Sequence, residues 1–250
     1  MKVEAIKTGI VSPRKKESLN HLLDKSLSSL QEDSILAITS KVVSICEGMF
    51  ILDRPDLKER MIAREAQYYL PKSSSKFQTM LTINKSILIP SAGIDESNGD
   101  GYLILWPVDP QRSANMVREY LRKRFGLKKV GVIITDSHTT PLRWGVTGIG
   151  LAHSGFKAIN NFIGKTDLFG KKLSMTKANV LDGLASAAVL IMGESVEQTP
   201  LAVISEVPSI VFQSRNPSAR ELREMNISID DDLYAPLLQA VDWKKGRKQI

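Results

Sequence analysis

The chain has 250 residues, 42% hydrophobic and 24% charged, so it can bury a sizeable core as one large domain or two small ones. Its net charge of +7 comes from scattered bases without RNP-type aromatics or zinc-finger spacing, which argues against nucleic acid and for solvated helix faces or a basic entrance for an anionic substrate. No stretch approaches the ~20 apolar residues of a membrane span, the start lacks a signal-peptide core, and one cysteine, Cys46, excludes an internal disulfide framework, so a cytoplasmic protein without membrane contact is expected.

In chain order, residues 1–6 read as a strand. Ile35-Leu36-Ala37-Ile38 leads into Val42-Val43-Ser44-Ile45, a β-branched stretch that predicts a buried strand and its continuation. Helix formers over 56–70 predict a helix ending at Pro71, and 72–76 reads as a polar loop. Residues 79–90 predict a strand pair broken at Asn84-Lys85. Asn98-Gly99-Asp100-Gly101 is a turn signal, and 102–106 reads as a further strand. Asp109 caps a helix with Pro110 at its first position, which runs to Phe125-Gly126. Residues 130–135 are the clearest buried strand, with Asp136 directly after it.

The stretch containing Gly145, Gly148, Gly150 and Gly155 lacks the strand-turn-helix context of a dinucleotide fingerprint, and no Walker sequence occurs. Residues 176–192 predict the best helix, capped by Thr176 and stopped at Gly193. Residues 201–204 return as a strand. From Pro217 onward short helices are expected, the last capped by Ile229-Asp230-Asp231-Asp232. There is no internal repeat, and the irregular order of elements favours an α+β fold of mixed sheets with packed helices.

Three patches read as one site: Ala92-Gly93-Ile94-Asp95-Glu96-Ser97-Asn98, Thr135-Asp136-Ser137 and Met192-Gly193-Glu194-Ser195. Each puts a carboxylate at the end of an apolar element, where a charge is costly unless something pairs with it. Three carboxylates with Ser and Asn oxygens are the hard donor set of Mg²⁺ or Mn²⁺, and no His/Cys cluster competes. Such an ion usually also holds phosphate oxygens, which points to a nucleotide-using enzyme.

Each residue alone has a plainer reading. Asp95 suits a turn, Asp136 an Asx turn or a helix cap, and Glu194 a solvated position after a helix. A calcium loop from Asp95 fails because its twelfth position holds Trp106. His138 reads equally as a ligand, an acid/base or a loop histidine beside Thr139 and Thr140. Ser137 lacks a nucleophile elbow, and Cys46 reads as packed rather than reactive.

Together the patches resemble a known family. Ile38-Thr39-Ser40-Lys41-Val42-Val43-Ser44 with Glu47-Gly48 resembles the "SK-I-V-S-K-x-E-G" motif of the coenzyme F420-0:gamma-glutamyl ligases. Ala92 to Asn98 resembles their "A-G-I-D-x-S-N", and Pro107-Val108-Asp109-Pro110 with Ser113, Ala114 and Arg118 their "P-x-D-P-x-x-S-A-x-x-x-R". Gly131 to Asp136 with Arg143, Gly145 and Gly148 resembles their "G-V-I-I-T-D-T-x-G-R-x-x-R-x-G-x-x-G". Asp167-Leu168-Phe169-Gly170, Asp182 and Met192-Gly193-Glu194 complete the series up to about Val207.

The resemblance implies a two-domain α+β ligase that forms an intertwined homodimer. Residues 1–215 would be a catalytic region of two interleaved subdomains, and 216–250 a C-terminal helical extension. The implied reaction uses GTP and Mg²⁺ or Mn²⁺ to join L-glutamate to an anionic carboxylate acceptor, a deazaflavin or a related, folate-like one, through an acyl phosphate. Asp95, Asp136, Ser137 and Glu194 are the implied metal ligands, and Asp136 and Arg143 the catalytic residues. Ser40, Lys41, Asn98, Met192, Gly193, Glu194, Ser195 and Gln198 are implied to hold the nucleotide, with 10–13 assisting.

Three departures bear on the acceptor. Ile45 stands where the family carries a second Lys, Ser137-His138-Thr139-Thr140 replaces "T-x-G-R", and Asp182-Gly183 replaces "D-E". Each lost cation would remove a charge-assisted contact worth ~1.5–3 kcal/mol. Two readings therefore stand: a GTP-dependent ligase, its acceptor altered, or a non-catalytic nucleotide- or metabolite-binding homologue.

Overall fold

The computed structural model describes residues 1–247. In chain order the elements are β1 (Lys2–Ile6), α1 (Leu19–Ser26), β2 (Ser34–Thr39), α2 (Ser40–Glu47), β3 (Phe50–Leu52), α3 (Leu57–Glu65), β4 (Tyr68–Tyr69), β5 (Leu81–Asn84), β6 (Ile87–Pro90) and β7 (Tyr102–Ile104). They continue with α4 (Pro110–Phe125), β8 (Val130–His138), β9 (Thr147–Ser154), β10 (Ile159–Asn161), β11 (Lys177–Asn179), α5 (Val180–Met192), β12 (Leu201–Ser205), α6 (Ala219–Glu224), α7 (Ala235–Leu238) and β13 (Lys244–Lys245). This is the mixed α+β architecture expected from the order of patterns.

The main sheet runs β1-β12-β2-β8-β9, with only β2 and β8 parallel. Alternation along its strands feeds two cores, as a sheet covered on both faces requires. Leu36, Ile38, Val132 and Ile134 point to the face covered by α4, packing with Val117 and Leu121. Ile35, Ala37, Ile133 and Ile204 point to the other, packing with Leu181, Leu184 and Ala188 of α5. Gly148 and Gly150 let α5 lie against β9, since a Cβ there would stand 2.3 Å from Ala185 O and from Leu181 Cγ. That close approach, rather than a dinucleotide turn, accounts for Gly148 and Gly150.

The residues between α2 and α4 build a second layer. The sheet β13-β4-β5-β6 and the β3-β7 ribbon enclose a third core around Met61, Ile62, Leu103 and Leu105. The β5–β6 turn is Lys85-Ser86, both at positive φ.

Four sequence expectations are corrected. Val42 to Ile45 lies in helix α2 rather than in a continued strand. Thr39 Oγ1 accepts from Lys41 N and Gly48 closes the helix in the left-handed region, so caps and the burial of Val43 override a weak β preference. The 56–70 helix stops at Glu65, because Tyr68 and Tyr69 pair with Ile83 and Thr82. The 176–192 helix starts at Val180 with Asn179 as cap, since Lys177 to Asn179 pair with β10. Asp230 to Asp232 form a turn, and Tyr234, without a side-chain cap bond, precedes α7.

The C-terminal segment crosses between the layers. The buried Arg118 donates to Val130 O and Gln213 O and to Asn216 Oδ1, tying the segment's start to α4. At the far end Lys244 and Lys245 pair with Tyr69 and Tyr68. The basic stretch that begins at Lys244 continues in the sequence to Lys248, which lies outside the described residues. Among the described residues no helix is long and apolar enough to cross a membrane.

Candidate functional site

A cavity of about 490 Å³ opens where β8, the start of α2, the 95–100 turn and the end of α5 meet. Lys41, Asp95, Asn98, Asp136, Ser137, Met192, Gly193, Glu194, Ser195 and Gln198 all line it, as do Ile10 and Val11. The three patches separated in sequence therefore share one wall. Ser40 is buried in the first turn of α2, and Arg143 is exposed on the turn after β8; neither lines the cavity.

Lys41 is the hub. Its Nζ lies 2.7 Å from Asp95 Oδ2 and donates to Ser97 O at 2.9 Å and Ser97 Oγ at 3.2 Å. Asn98 Nδ2 donates to Ser195 O at 3.0 Å, which clasps the 95–100 turn to the loop after α5. Ser137 Oγ donates to Glu194 Oε2 at 3.3 Å, joining β8 to the same loop. Ser12 Oγ and Arg14 hold Asp100 at 2.8 and 2.9 Å, so the 10–13 segment closes one side.

Asp136 is neither a helix cap nor the residue after a strand. It sits within β8, opposite Ile149, and accepts from the Trp106 indole Nε1–H and from Ser137 N. Burial pushes its carboxyl up to about 7, against those two donors, and the charge of Asp95 adds to the rise. Glu194 is also raised, mainly by burial and further by Asp95 and Glu197. Asp95 goes the other way: burial works to raise it, but the Lys41 contact and Ser97 outweigh that.

Sequence reasoning missed Trp106 as a partner of Asp136. No local pattern could reveal it, because the two are 30 residues apart and meet only through the fold. Ile45, singled out as a departure from the family, also lines the cavity, as does Glu197, whose Oε2 accepts from Ser195 N at 2.8 Å. Cys46 is held unreactive by burial, which pushes its thiol up to about 12. His138, Thr139 and Thr140 line a different groove, and the His138 ring contacts Thr147 Oγ1 at 3.3 Å.

The donor chemistry fits a hard divalent cation: two carboxylates of raised pKa, a third held by a lysine, and a hydroxyl. Among the described residues no three Asp, Glu, His or Cys side chains converge closely enough to hold a metal ion by themselves. Asp95 is drawn to Lys41 and Asp136 to Trp106. A cation here would draw remaining ligands from water or phosphate, as Mg²⁺ commonly does.

The F420-0:gamma-glutamyl ligase family model matches residues 5–206. The coenzyme F420:L-glutamate ligase of Methanopyrus kandleri is 37% identical over 205 residues, covering 75% of this chain and 80% of the relative. That of Methanococcus maripaludis is 31% identical over 224 residues, covering 83% and 89%. That of Archaeoglobus fulgidus is 34% identical over 191 residues, covering 70% and 76%. With the match running through both layers, the chain belongs to the F420-0:gamma-glutamyl ligase family.

Proposed function

We propose that this chain is a ligase that uses GTP to join L-glutamate to the carboxylate of coenzyme F420-0 or a closely related acceptor. The observation that carries the reading is the convergence of Asp95, Asp136, Ser137 and Glu194 with Lys41 on one cavity, in a family whose relatives are named coenzyme F420:L-glutamate ligases.

The acceptor carboxylate takes the γ-phosphoryl group, giving an acyl phosphate and GDP. The glutamate amine then attacks the acyl carbon. The C–N bond forms, the C–O bond to phosphate breaks, and the ammonium proton leaves to solvent. Mg²⁺ or Mn²⁺, held by Asp95, Asp136, Ser137 and Glu194, would neutralise phosphate charge during transfer. Lys41 stands at the N-terminal end of α2, where a cation and free backbone N–H groups favour phosphate. Asn98 and the 192–198 loop, already clasped together, form the nucleotide rim. We place Ser40 and Arg143 as supporting residues, the first setting the α2 turn. A cytoplasmic homodimer is the proposed working form, to be checked by light scattering.

The test is product mass and GDP release with glutamate, F420-0, GTP or ATP, and Mg²⁺ or Mn²⁺. Nucleoside diphosphate release that needs the acceptor and turns over repeatedly only with glutamate, together with the ligated product, supports the ligase. Nucleotide binding without turnover of F420-0 or any other carboxylate tested favours the non-catalytic homologue instead.

A further inference from the structure

Lys41 commits its whole donor capacity to the 95–97 turn. An ammonium has three N–H donors. Those of Lys41 face Asp95 Oδ2 at 2.7 Å, Ser97 O at 2.9 Å and Ser97 Oγ at 3.2 Å. Seated this way, Lys41 lines the cavity with no donor left for a ligand inside it. Asp95 is committed in return: Oδ2 faces Lys41, and Oδ1 accepts from Ser97 N at 2.8 Å. The other two carboxylates meet neutral donors. Asp136 accepts from the Trp106 indole and from Ser137 N, and Glu194 from the Ser137 hydroxyl. Asp95 is thus the carboxylate of the three that a cation of the protein neutralises.

A divalent ion would sit ~2.1 Å from a ligating oxygen, so it and the ammonium could share Asp95 Oδ2 only against strong repulsion. Lys41 is free to give way. Its side chain is 25% exposed and that of Asp95 43%, and an ion pair so open to water is weakly held. The ammonium rides on a flexible four-carbon stem. Its backbone stays fixed, because Lys41 N donates to Thr39 Oγ1 and the flanking Ser40 and Val42 are buried. The side chain can therefore move without the helix.

We propose that Lys41 is an exchangeable counter-cation: it neutralises Asp95 in the metal-free protein, yields Asp95 to Mg²⁺ or Mn²⁺, and so frees its three donors for the anionic ligand that accompanies the metal. Lysine and metal compete for Asp95 when no nucleotide is present and act together on the ligand afterwards. The proposal rests on the reading of Asp95 as a metal ligand, not on ligation or on the acceptor.

The test uses the full chain without nucleotide. Mn²⁺ alone is titrated, with free ion counted by electron paramagnetic resonance, into the parent, Lys41→Met and Lys41→Arg, each checked for unchanged melting. Lys41→Met should bind Mn²⁺ about tenfold more tightly, since a positive charge beside the ligand is gone. Lys41→Arg keeps the charge and should stay near the parent. In the parent, Mg²⁺ alone should shift the Lys41 ¹³Cε resonance, assigned by its loss in Lys41→Arg. Mn²⁺ affinity in Lys41→Met equal to or weaker than the parent's overturns the proposal. Equal tightening in both variants overturns it too, because lost packing rather than lost charge would then be the cause. A Lys41 resonance unmoved at saturating Mg²⁺ also overturns it. The expected exchange, found in a protein that ligates no acceptor, upholds the proposal and sinks the ligase reading alone. Mn²⁺ bound by neither parent nor Lys41→Met, with or without GTP, overturns both.

Discussion

Gly93 and Trp106 occupy one space: a Cβ at Gly93 would stand 2.1 Å from the indole Cε2, and that indole donates its N–H to Asp136. Gly93 also holds φ +74, a conformation that resists a side chain. Gly93→Ala should therefore displace the indole and release Asp136. The expected cost is about 1–3 kcal/mol of stability, from the left-handed backbone and overpacking together. Metal-dependent GTP affinity should fall with it. Trp106→Phe keeps an aromatic side chain but removes the N–H donor and part of the indole's volume, so it should raise the Asp136 carboxyl further at the cost of a small cavity. Carboxyl titration by NMR in both variants checks this; an unmoved Asp136 resonance in Trp106→Phe counts against the link.

Lys41 holds the 95–97 turn through Asp95 and Ser97. Lys41→Met should let Asp95 titrate at higher pH and leave the carboxylates short of positive charge. Affinity for free GTP should drop by about tenfold or more, since charge-assisted contacts are worth ~1.5–3 kcal/mol. Added Mg²⁺ should recover part of the loss. Isothermal titration with and without Mg²⁺ reads both effects, and equal GTP affinity in Lys41→Met and the parent chain rules the role out.

Some of these relationships were legible in the sequence and others were not. The parallel pair β2–β8 and the caps of α4 announce themselves locally, through an apolar run and through Asp109-Pro110 and Gly126. The carboxylate positions were legible because charges at apolar ends are costly. The helix α2 was not, because its β-branched residues look like strand and only the Thr39 cap and core contacts reverse that. Trp106–Asp136 and the tethering of 213–246 across two layers are products of long-range pairing, which no window of sequence contains.

His153 predicts a pH dependence of stability. It is 2% exposed beside Phe156, and burial lowers it to about 4, with Glu221 opposing. As pH falls below the unfolded value near 6.5, the unfolded chain takes up a proton that the folded chain refuses. Stability should be full above about pH 7 and decline toward pH 4, by at most about 1.4 kcal/mol per pH unit from this group. Asp136, raised to about 7, acts with the opposite sign over the same window. The difference between the parent chain and His153→Phe isolates the histidine. Because Asp136 titrates in both proteins, the gap between their urea midpoints, rather than either midpoint alone, should change from about pH 7.5 to 5; parallel curves would leave His153 charged or exposed.

The two positions where the family's cations are lost, Ile45 and Thr140, lie in separate places. Ile45 is 7% exposed and lines the carboxylate cavity with Lys41, whereas Thr140 lines the separate groove that His138 also lines. A single acceptor phosphate contacted by both is therefore not expected. Ile45→Lys should act on the nucleotide end, changing the KM for GTP, with a stability penalty because burial disfavours an ammonium. Thr140→Arg, on an exposed rim, should lower the acceptor KM by a few-fold at most, since exposed charge contacts are worth ~0–1 kcal/mol. The two effects on kcat/KM should add within about 0.5 kcal/mol in a double-mutant cycle, as independent sites do. Coupling well above that would mean that both side chains grip one ligand group, although they line separate pockets.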